Sequence, residues 1–358
     1  MIYGSVCSGI EAATLAWHKL GWLPVWFAEI EPFPSAVLAH HYPLTPNLGD
    51  MTRIAERIRS GEVCAPDVLV GGTPCQAFSV AGLRAGLSDA RGQLTLSYVE
   101  LADEIDRTRI AAGQSECIVV WENVPGVLSS KDNAFGCFLG ALAGEECELQ
   151  PPGGKWKDVG YVSGPKRTIA WRVLDAQYFG LAQRRRRVFV VASARDGFDP
   201  AAILFEFDCV RRDLAPSRET GESVAGTLAS RVDGGGFPGT DEACSGYVQP
   251  IINHAAHCFK VRCGCEGGGK GYLGQDEMAF TLATSHDQDV FVPPMQVRRL
   301  TPIECERLQG FVDSYTNVPY RNKPAADGPR YKALGNSMAV PCMRWIGTRI
   351  DAAVRGEL

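Results

Sequence analysis

The chain has 358 residues, 45% hydrophobic and 22% charged, with 13 cysteines and a net charge of −5. It has room for one large α/β domain or two domains, and its composition is too ordinary for global disorder. A long uncharged stretch, Val68 to Leu83, is broken by Gly, Pro, Gln and Ser, Met1 to Gly4 lacks the basic region of a signal peptide, and the odd, scattered cysteines read as cytosolic thiols; a membrane protein, a secreted disulfide scaffold and a basic packaging protein are excluded.

In chain order, Ile2 to Cys7 reads as a strand, followed by Ser8-Gly9 and a helical stretch from Glu11 to Leu20. Pro24 to Ala28 is a second strand ending at Glu29 and Glu31, and Pro32 opens a helix. Another strand is expected just before Gly49-Asp50, and Val68 to Val70 forms a buried one that ends at Gly71-Gly72. Gln93 to Ala112 is helical, and Cys117 to Trp121 is a strand stopping at Glu122-Asn123. Short apolar strands alternating with helices imply a parallel sheet covered on both faces, with ligands beyond the carboxyl ends of the strands. Gly144 to Gly164 reads as a surface insertion, and Ile169 to Asp175 and Arg187 to Ala194 as two further strands.

From about Asp196 the texture changes. Residues 221–274 hold 13 of the 39 glycines and lose helical periodicity, and Thr227-Leu228-Ala229-Ser230 is echoed by Thr281-Leu282-Ala283-Thr284. After Pro293-Pro294 the helical pattern returns, with Thr301 capping Pro302 to Leu308 and an amphipathic stretch from Ser337 to Ile350. A loop-rich insert between patterned flanks suggests a second domain embedded late in the first.

Four clusters carry chemistry. Cys75 follows a buried strand on a Gly/Pro-shaped turn, where a thiol is exposed to ligand with a lowered pKa; Cys64, Cys117, Cys137, Cys209, Cys305 and Cys342 are expected to be small buried apolar residues. Glu122 emerges from an apolar strand, and partial desolvation there favours a proton donor. In the run Gln183 to Arg187, alternation sends Arg185 and Arg187 to one face and Arg184 and Arg186 to the other. Ser8-Gly9, Glu29 and Asp50 suit a nucleoside, while Glu11 in the first turn would repel a pyrophosphate, so a nucleoside cofactor without phosphates is favoured. The spacing of His254, His257, Cys258, Cys263 and Cys265 matches no standard zinc template, and no metal is expected.

These residues resemble, in order, the motifs of the DNA (cytosine-5) methyltransferases of bacteria and phages. Pro74-Cys75-Gln76 is similar to the nucleophile motif, Glu122-Asn123-Val124 to the second catalytic motif and Gln183 to Arg187 to the Gln-Arg-x-Arg motif. Asp89 to Gly92, Arg299 to Cys305 and Gly335-Asn336-Ser337 match lesser motifs, and the variable insert falls at the expected place. The first motif departs: Cys7-Ser8-Gly9-Ile10-Glu11-Ala12 stands where the family has Phe-x-Gly-x-Gly-Gly, losing two glycines.

The resemblance implies a Rossmann-like α/β fold dependent on S-adenosylmethionine, with catalytic parts at 1–195 and 295–358 and a target-recognition domain at 196–294. It implies a flipped-out cytosine attacked at C6 by Cys75, with Glu122 at N3, Arg187 and Arg185 holding the base, and Asn123 shaping the turn. It places Glu29 on the cofactor ribose, Ile30 on adenine and Asp50 on the adenine amino group, with Ser8, Gly9, Ile10, Pro74, Leu94, Asn336 and Ser337 lining the rest. Gln76, Ser79 and Arg91 would meet DNA, and Arg211, Arg212, Arg218, Arg231 and Lys270 of the insert would reach phosphates or guanine edges. The expected partner is double-stranded DNA, with a cognate restriction enzyme in the same system, and the expected state is a cytoplasmic, nucleoid-associated monomer. Transfer RNA as substrate and an inactive DNA-binding homologue are the alternatives; a nicotinamide oxidoreductase fails on the missing Gly-rich fingerprint.

Overall fold

The computed structural model describes residues 1–73, 90–206, 257–263, 270–276, 278–280, 289–292 and 296–358. Its centre is a seven-stranded sheet. The strands β1 (Ile2–Val6), β2 (Leu23–Ala28), β3 (Val68–Gly71) and β4 (Ile118–Asn123) are mutually parallel. Helices α1 (Ala12–Trp17), α2 (Pro32–His41), α3 (Ile54–Arg59) and α4 (Ala90–Ala111) lie between them in sequence. Helix α5 (Ala134–Ala143) follows β4, and β5 (Val159–Ser163), β6 (Thr168–Asp175) and β8 (Arg186–Ser193) complete the order β2-β1-β3-β4-β8-β6-β5. A two-residue β7 (Gln183–Arg184) precedes β8, and the short helix α6 (Pro200–Leu204) follows it.

The sheet is mixed rather than all parallel, because β8 runs antiparallel to both β4 and β6, and β5 antiparallel to β6. Connection length decides this. Only residues 176–185 link β6 to β8, too few for a crossover helix, so the chain folds straight back. The stretch read as a surface insertion therefore contains the edge strand β5. The strand expected before Gly49 does not form beyond one bridge, Phe27 to Asn47; Pro43 and Pro46 lack the backbone donors a strand needs.

Both faces of the sheet are covered, which is why its central strands are continuous apolar runs. Val68, Val70, Ile118 and Val120 pack with Trp17, Val37, Ile346 and Ile350; Leu69, Val119 and Trp121 pack on the opposite face with Ile58, Tyr98, Ile105 and Phe138. Cys117, Cys137, Cys305 and Cys342 are buried as expected, whereas Cys64 is exposed in the turn before β3 and Cys209 lies outside the described residues.

The C-terminal part returns to the start of the chain through α7 (Pro302–Gln309), α8 (Asp327–Asn336) and α9 (Val340–Val354). Thr301 caps α7 in a reciprocal box with Glu304, as the spacing predicts. Helix α9 starts after Ser337, whose backbone is extended, and packs on α1. Trp17 Nε1 donates to the Met343 carbonyl at 2.8 Å and Trp22 Nε1 to Asp351 at 3.0 Å. Gly347 allows this approach, since a Cβ there would lie 2.2 Å from Trp17 Nε1.

Within the late insert, β9 (His257–Cys263), β10 (Lys270–Asp276), β12 (Asp289–Val292) and β13 (Gln296–Arg299) form a separate antiparallel sheet in the order β10-β9-β12-β13. The short β11 (Ala279–Phe280) pairs with β7 instead. The echo at 227–230 and 281–284 lies outside the described residues, as do Arg211, Arg212, Arg218 and Arg231. Among the described residues no helix is long and apolar enough to cross a membrane.

Candidate active site

A pocket opens at the carboxyl ends of β1 and β3, lined among others by Ser8, Gly9, Glu11, Glu122, Asn336 and Ser337. Gly72 makes it compact: a Cβ there would lie 2.9 Å from the Glu122 carbonyl oxygen and 3.4 Å from its carboxylate. At the end of β2, Glu29 is buried and organised. Its Oε2 accepts from the Gly9 amide at 2.7 Å and its Oε1 from the Glu31 amide at 2.7 Å, so the carboxylate holds the first turn while keeping spare lone pairs. Next to it Ile30 is 74% exposed, a large apolar side chain without cover among the described residues. Asp50 Oδ1 caps the following turn by accepting from Thr52 N and Oγ1, which leaves Oδ2 outside those bonds. Two carboxylates with spare lone pairs, Glu29 and Asp50, and the uncovered apolar side chain of Ile30 have the chemistry to fit a nucleoside. Two of the lining residues expected from the motifs differ in reach. Ile10 is fully buried in the core with its carbonyl taken by Tyr315, and Leu94 is partly buried against the opposite core.

Glu11 explains how the chain tolerates the loss of two glycines in its first motif. It adopts a left-handed backbone with φ of 62°, where glycine would sit without strain, and is only 2% exposed. Its Oε2 accepts from the Thr14 amide at 3.0 Å and the Thr14 hydroxyl at 2.6 Å, capping α1 from within. Burial pushes its carboxyl above the usual range, and bonds from Ser5 and Thr14 oppose the shift. Glu11→Ala is expected to destabilise the protein by about 1–2 kcal/mol, because the cap is lost while the strained backbone remains. Urea unfolding checks this, and Glu11→Gly should recover part of the loss.

Glu122, on the pocket wall, is flanked by β8. Glu122 is buried at the end of β4, and Arg187 Nε of β8 stands 3.1 Å from its Oε1. Burial raises the Glu122 pKa, and the positive charges of Arg187 and Arg185 pull the other way. Arg185 is 2% exposed and ties three segments together. Its amide donates to Asp175 Oδ1 at 2.9 Å, and its Nη2 donates to the carbonyls of Gly335 at 3.1 Å and Ser337 at 2.6 Å. Its Nε and Nη1 have no partner among the described residues. Burial, reinforced by Arg187, brings its pKa down to about 9. Arg184 and Arg186 face outward, Arg186 pairing with Asp158, so the alternation read from the sequence is the one observed.

Asn123 shapes the turn after β4: its Oδ1 accepts from the Val124 amide and its Nδ2 donates to the Thr73 carbonyl, both at 2.8 Å. Pro74, Cys75, Gln76 and Ser79 lie outside the described residues, and Arg91 lies within α4 with its side chain outside them. Thr73 immediately precedes that segment, and its hydroxyl meets Trp121 Nε1 at 3.0 Å and Thr95 Oγ1 at 2.9 Å. Sequence reasoning passed over Thr73, Thr95 and Trp121. One signal was available, because a tryptophan inside a fully apolar strand must find an acceptor for its indole N–H.

A mixed Rossmann-like sheet, a pocket at its carboxyl edge and these carboxylates beside Ile30 fit the class of S-adenosylmethionine-dependent methyltransferases. A family model described as C-5 cytosine-specific DNA methylase matches residues 1–208 and 254–352. The chain belongs to that family of DNA (cytosine-5) methyltransferases. It is 43% identical, over 99% of its length, to a protein of Escherichia phage P1 named DNA N-6-adenine-methyltransferase, and spans 61% of that protein. It is 27% identical to the type II methyltransferase M2.BsuMI of Bacillus subtilis, over 97% of this chain and 74% of the other. Among solved structures, the Entamoeba histolytica methyltransferase EhMeth superposes with a TM-score of 0.58 at 14% identity, covering 98% of this chain and 97% of that one. A putative DNA modification methyltransferase from an Escherichia coli prophage gives 0.54 at 16% identity, with 99% of each covered. At such identities the structural likeness is one of fold.

Proposed function

We propose that the protein methylates C5 of a flipped-out cytosine in duplex DNA through a covalent bond between Cys75 and C6. The observation that carries this reading is Glu122: a buried carboxyl group whose pKa burial raises, 3.1 Å from Arg187 and in the same pocket as Ser8, Gly9, Asn336 and Ser337. When bound, S-adenosylmethionine would supply an electrophilic methyl group for C5 and leave as S-adenosylhomocysteine, the pair of the broken S–CH3 bond staying on sulfur. Glu122 gives its proton to N3 and the thiolate of Cys75 adds to C6, which places the displaced electron pair on C5. A base then removes the C5 proton, the C6–S bond breaks, the thiolate leaves, and Glu122 regains the N3 proton. Arg187 keeps Glu122 oriented, and the two unpaired donors of Arg185 suit a base carbonyl. Glu29, Ile30 and Asp50 would hold ribose and adenine.

In the same reading, residues 196–294 recognise the target between catalytic parts 1–195 and 295–358, and Gln76, Ser79 and Arg91 meet DNA. The names of the type II relatives suit a place beside a restriction enzyme, and the protein would act as a monomer on the nucleoid.

The test is transfer of tritiated methyl groups to unmethylated duplex DNA and, separately, to transfer RNA, followed by nucleoside analysis. Label in 5-methylcytosine of DNA is expected. Label only in N6-methyladenine, following the name of the phage relative, or only in transfer RNA, overturns the assignment.

A further inference from the structure

Thr73 is the last described residue before Pro74-Cys75. Indole Nε1 can only donate, so the Thr73 hydroxyl accepts from Trp121 at 3.0 Å. It shares a second hydrogen bond with Thr95 Oγ1 at 2.9 Å, in which either hydroxyl can donate. The Thr73 carbonyl meanwhile accepts from Asn123 Nδ2 at 2.8 Å. All four residues are buried, and a polar group removed here leaves its partner without water. Trp121 and Asn123 are the two neighbours of Glu122 on β4, and strand alternation sends them to the face opposite its carboxylate. Thr95 belongs to α4, beyond the segment that carries Cys75. One residue, through its hydroxyl and its carbonyl, thus joins the end of β3 to both neighbours of Glu122 and to α4.

We infer that Thr73 is a positioning residue for methyl transfer: its bonds to Trp121, Asn123 and Thr95 fix the end of β3 against the two strand neighbours of Glu122. The inference rests on the covalent mechanism proposed above. Cys75 follows Thr73 by two residues in the sequence, a chain reach of at most about 7 Å. Valine has the shape of threonine without its hydroxyl, which separates bonding from packing.

The experiment compares Thr73→Val, Thr73→Ser and Thr95→Val in the full chain, measuring kcat, KM for DNA, S-adenosylmethionine affinity by calorimetry, and unfolding midpoints. Thr73→Val is expected to lower kcat about tenfold or more, the scale on which small misplacements act. Affinity for S-adenosylmethionine should stay within about twofold, since the pocket residues are untouched. Thr73→Ser should restore kcat, and Thr95→Val, which removes one bond only, should fall between. An unchanged kcat in Thr73→Val, equal losses in the valine and serine variants, or a loss confined to S-adenosylmethionine affinity overturns the inference. If Thr73→Val does not fold, an unchanged kcat in a folded Thr95→Val overturns it. A wild-type chain that transfers no methyl group defeats the covalent mechanism itself, and this inference with it; an active wild type beside unaffected variants defeats this inference alone.

Discussion

Replacing Cys75 by serine is expected to lower methyl transfer to DNA by at least ~10³-fold, the scale seen when a nucleophile is removed from a concerted site. A serine hydroxyl at this position stays protonated at neutral pH, whereas a cysteine on a polar turn supplies a thiolate. Without addition at C6 the ring carries no electron pair at C5, and the other residues have nothing to accelerate. Binding of S-adenosylmethionine should survive, because Glu29, Asp50 and Ser337 stand on other segments. A second measurement isolates the covalent step. Duplex DNA with 5-fluorocytosine at the target cannot lose a proton from C5, so elimination is blocked and the wild-type protein should remain attached through denaturing electrophoresis. The Cys75→Ser protein should not. Undiminished transfer by the variant, or trapping of the variant, sinks the mechanism.

Glu122→Gln is expected to lower kcat by about 10²-fold, since an amide hydrogen-bonds N3 but cannot protonate it. Burial raises the folded-state pKa of Glu122 above its unfolded value, so the native protein retains a proton that the unfolded chain releases. The wild type therefore loses stability as pH rises from the ordinary carboxylate range through the raised folded value, and the stabilising protonation is complete only below that range. Arg187, 3.1 Å from the carboxylate, limits this loss by pairing with the ionised form. The glutamine variant should lack the decline. Urea midpoints of both proteins over a pH series test the sign: parallel curves rule out a proton-retaining Glu122. The rate should show the same asymmetry, falling on the alkaline side as the acid is lost.

Much of this site was legible as residue types at strand ends. Glu122 and the alternation of Arg184 to Arg187 followed from apolar runs that stop at charged residues, because a strand buried on both faces places its first polar side chain at its end. Glu29 and Asp50 could be placed by the same logic, although Asp50 follows a loop and not a strand. The bonds around Thr73 could not be read, since a threonine, a tryptophan and a second threonine separated by tens of residues carry no local pattern. Nor could the double duty of Glu11, whose left-handed backbone is set by its contacts with Thr14.

The sequence by itself determined the alternation of strands and helices, the capping of α7 by Thr301, and the charged residues at the strand ends, because periodicity, caps and turn residues act over a few positions. Only the tertiary structure decided the antiparallel entry of β8, the return of α9 onto α1, and the meeting of Arg185 with Gly335 and Ser337. Those depend on connection lengths and on close contacts such as Gly347 against Trp17, which join residues far apart in the chain. The thirteen cysteines divide along the same line. Composition reads them as thiols; among the described residues burial sets Cys117, Cys137, Cys305 and Cys342 apart from the exposed Cys64 and Cys147.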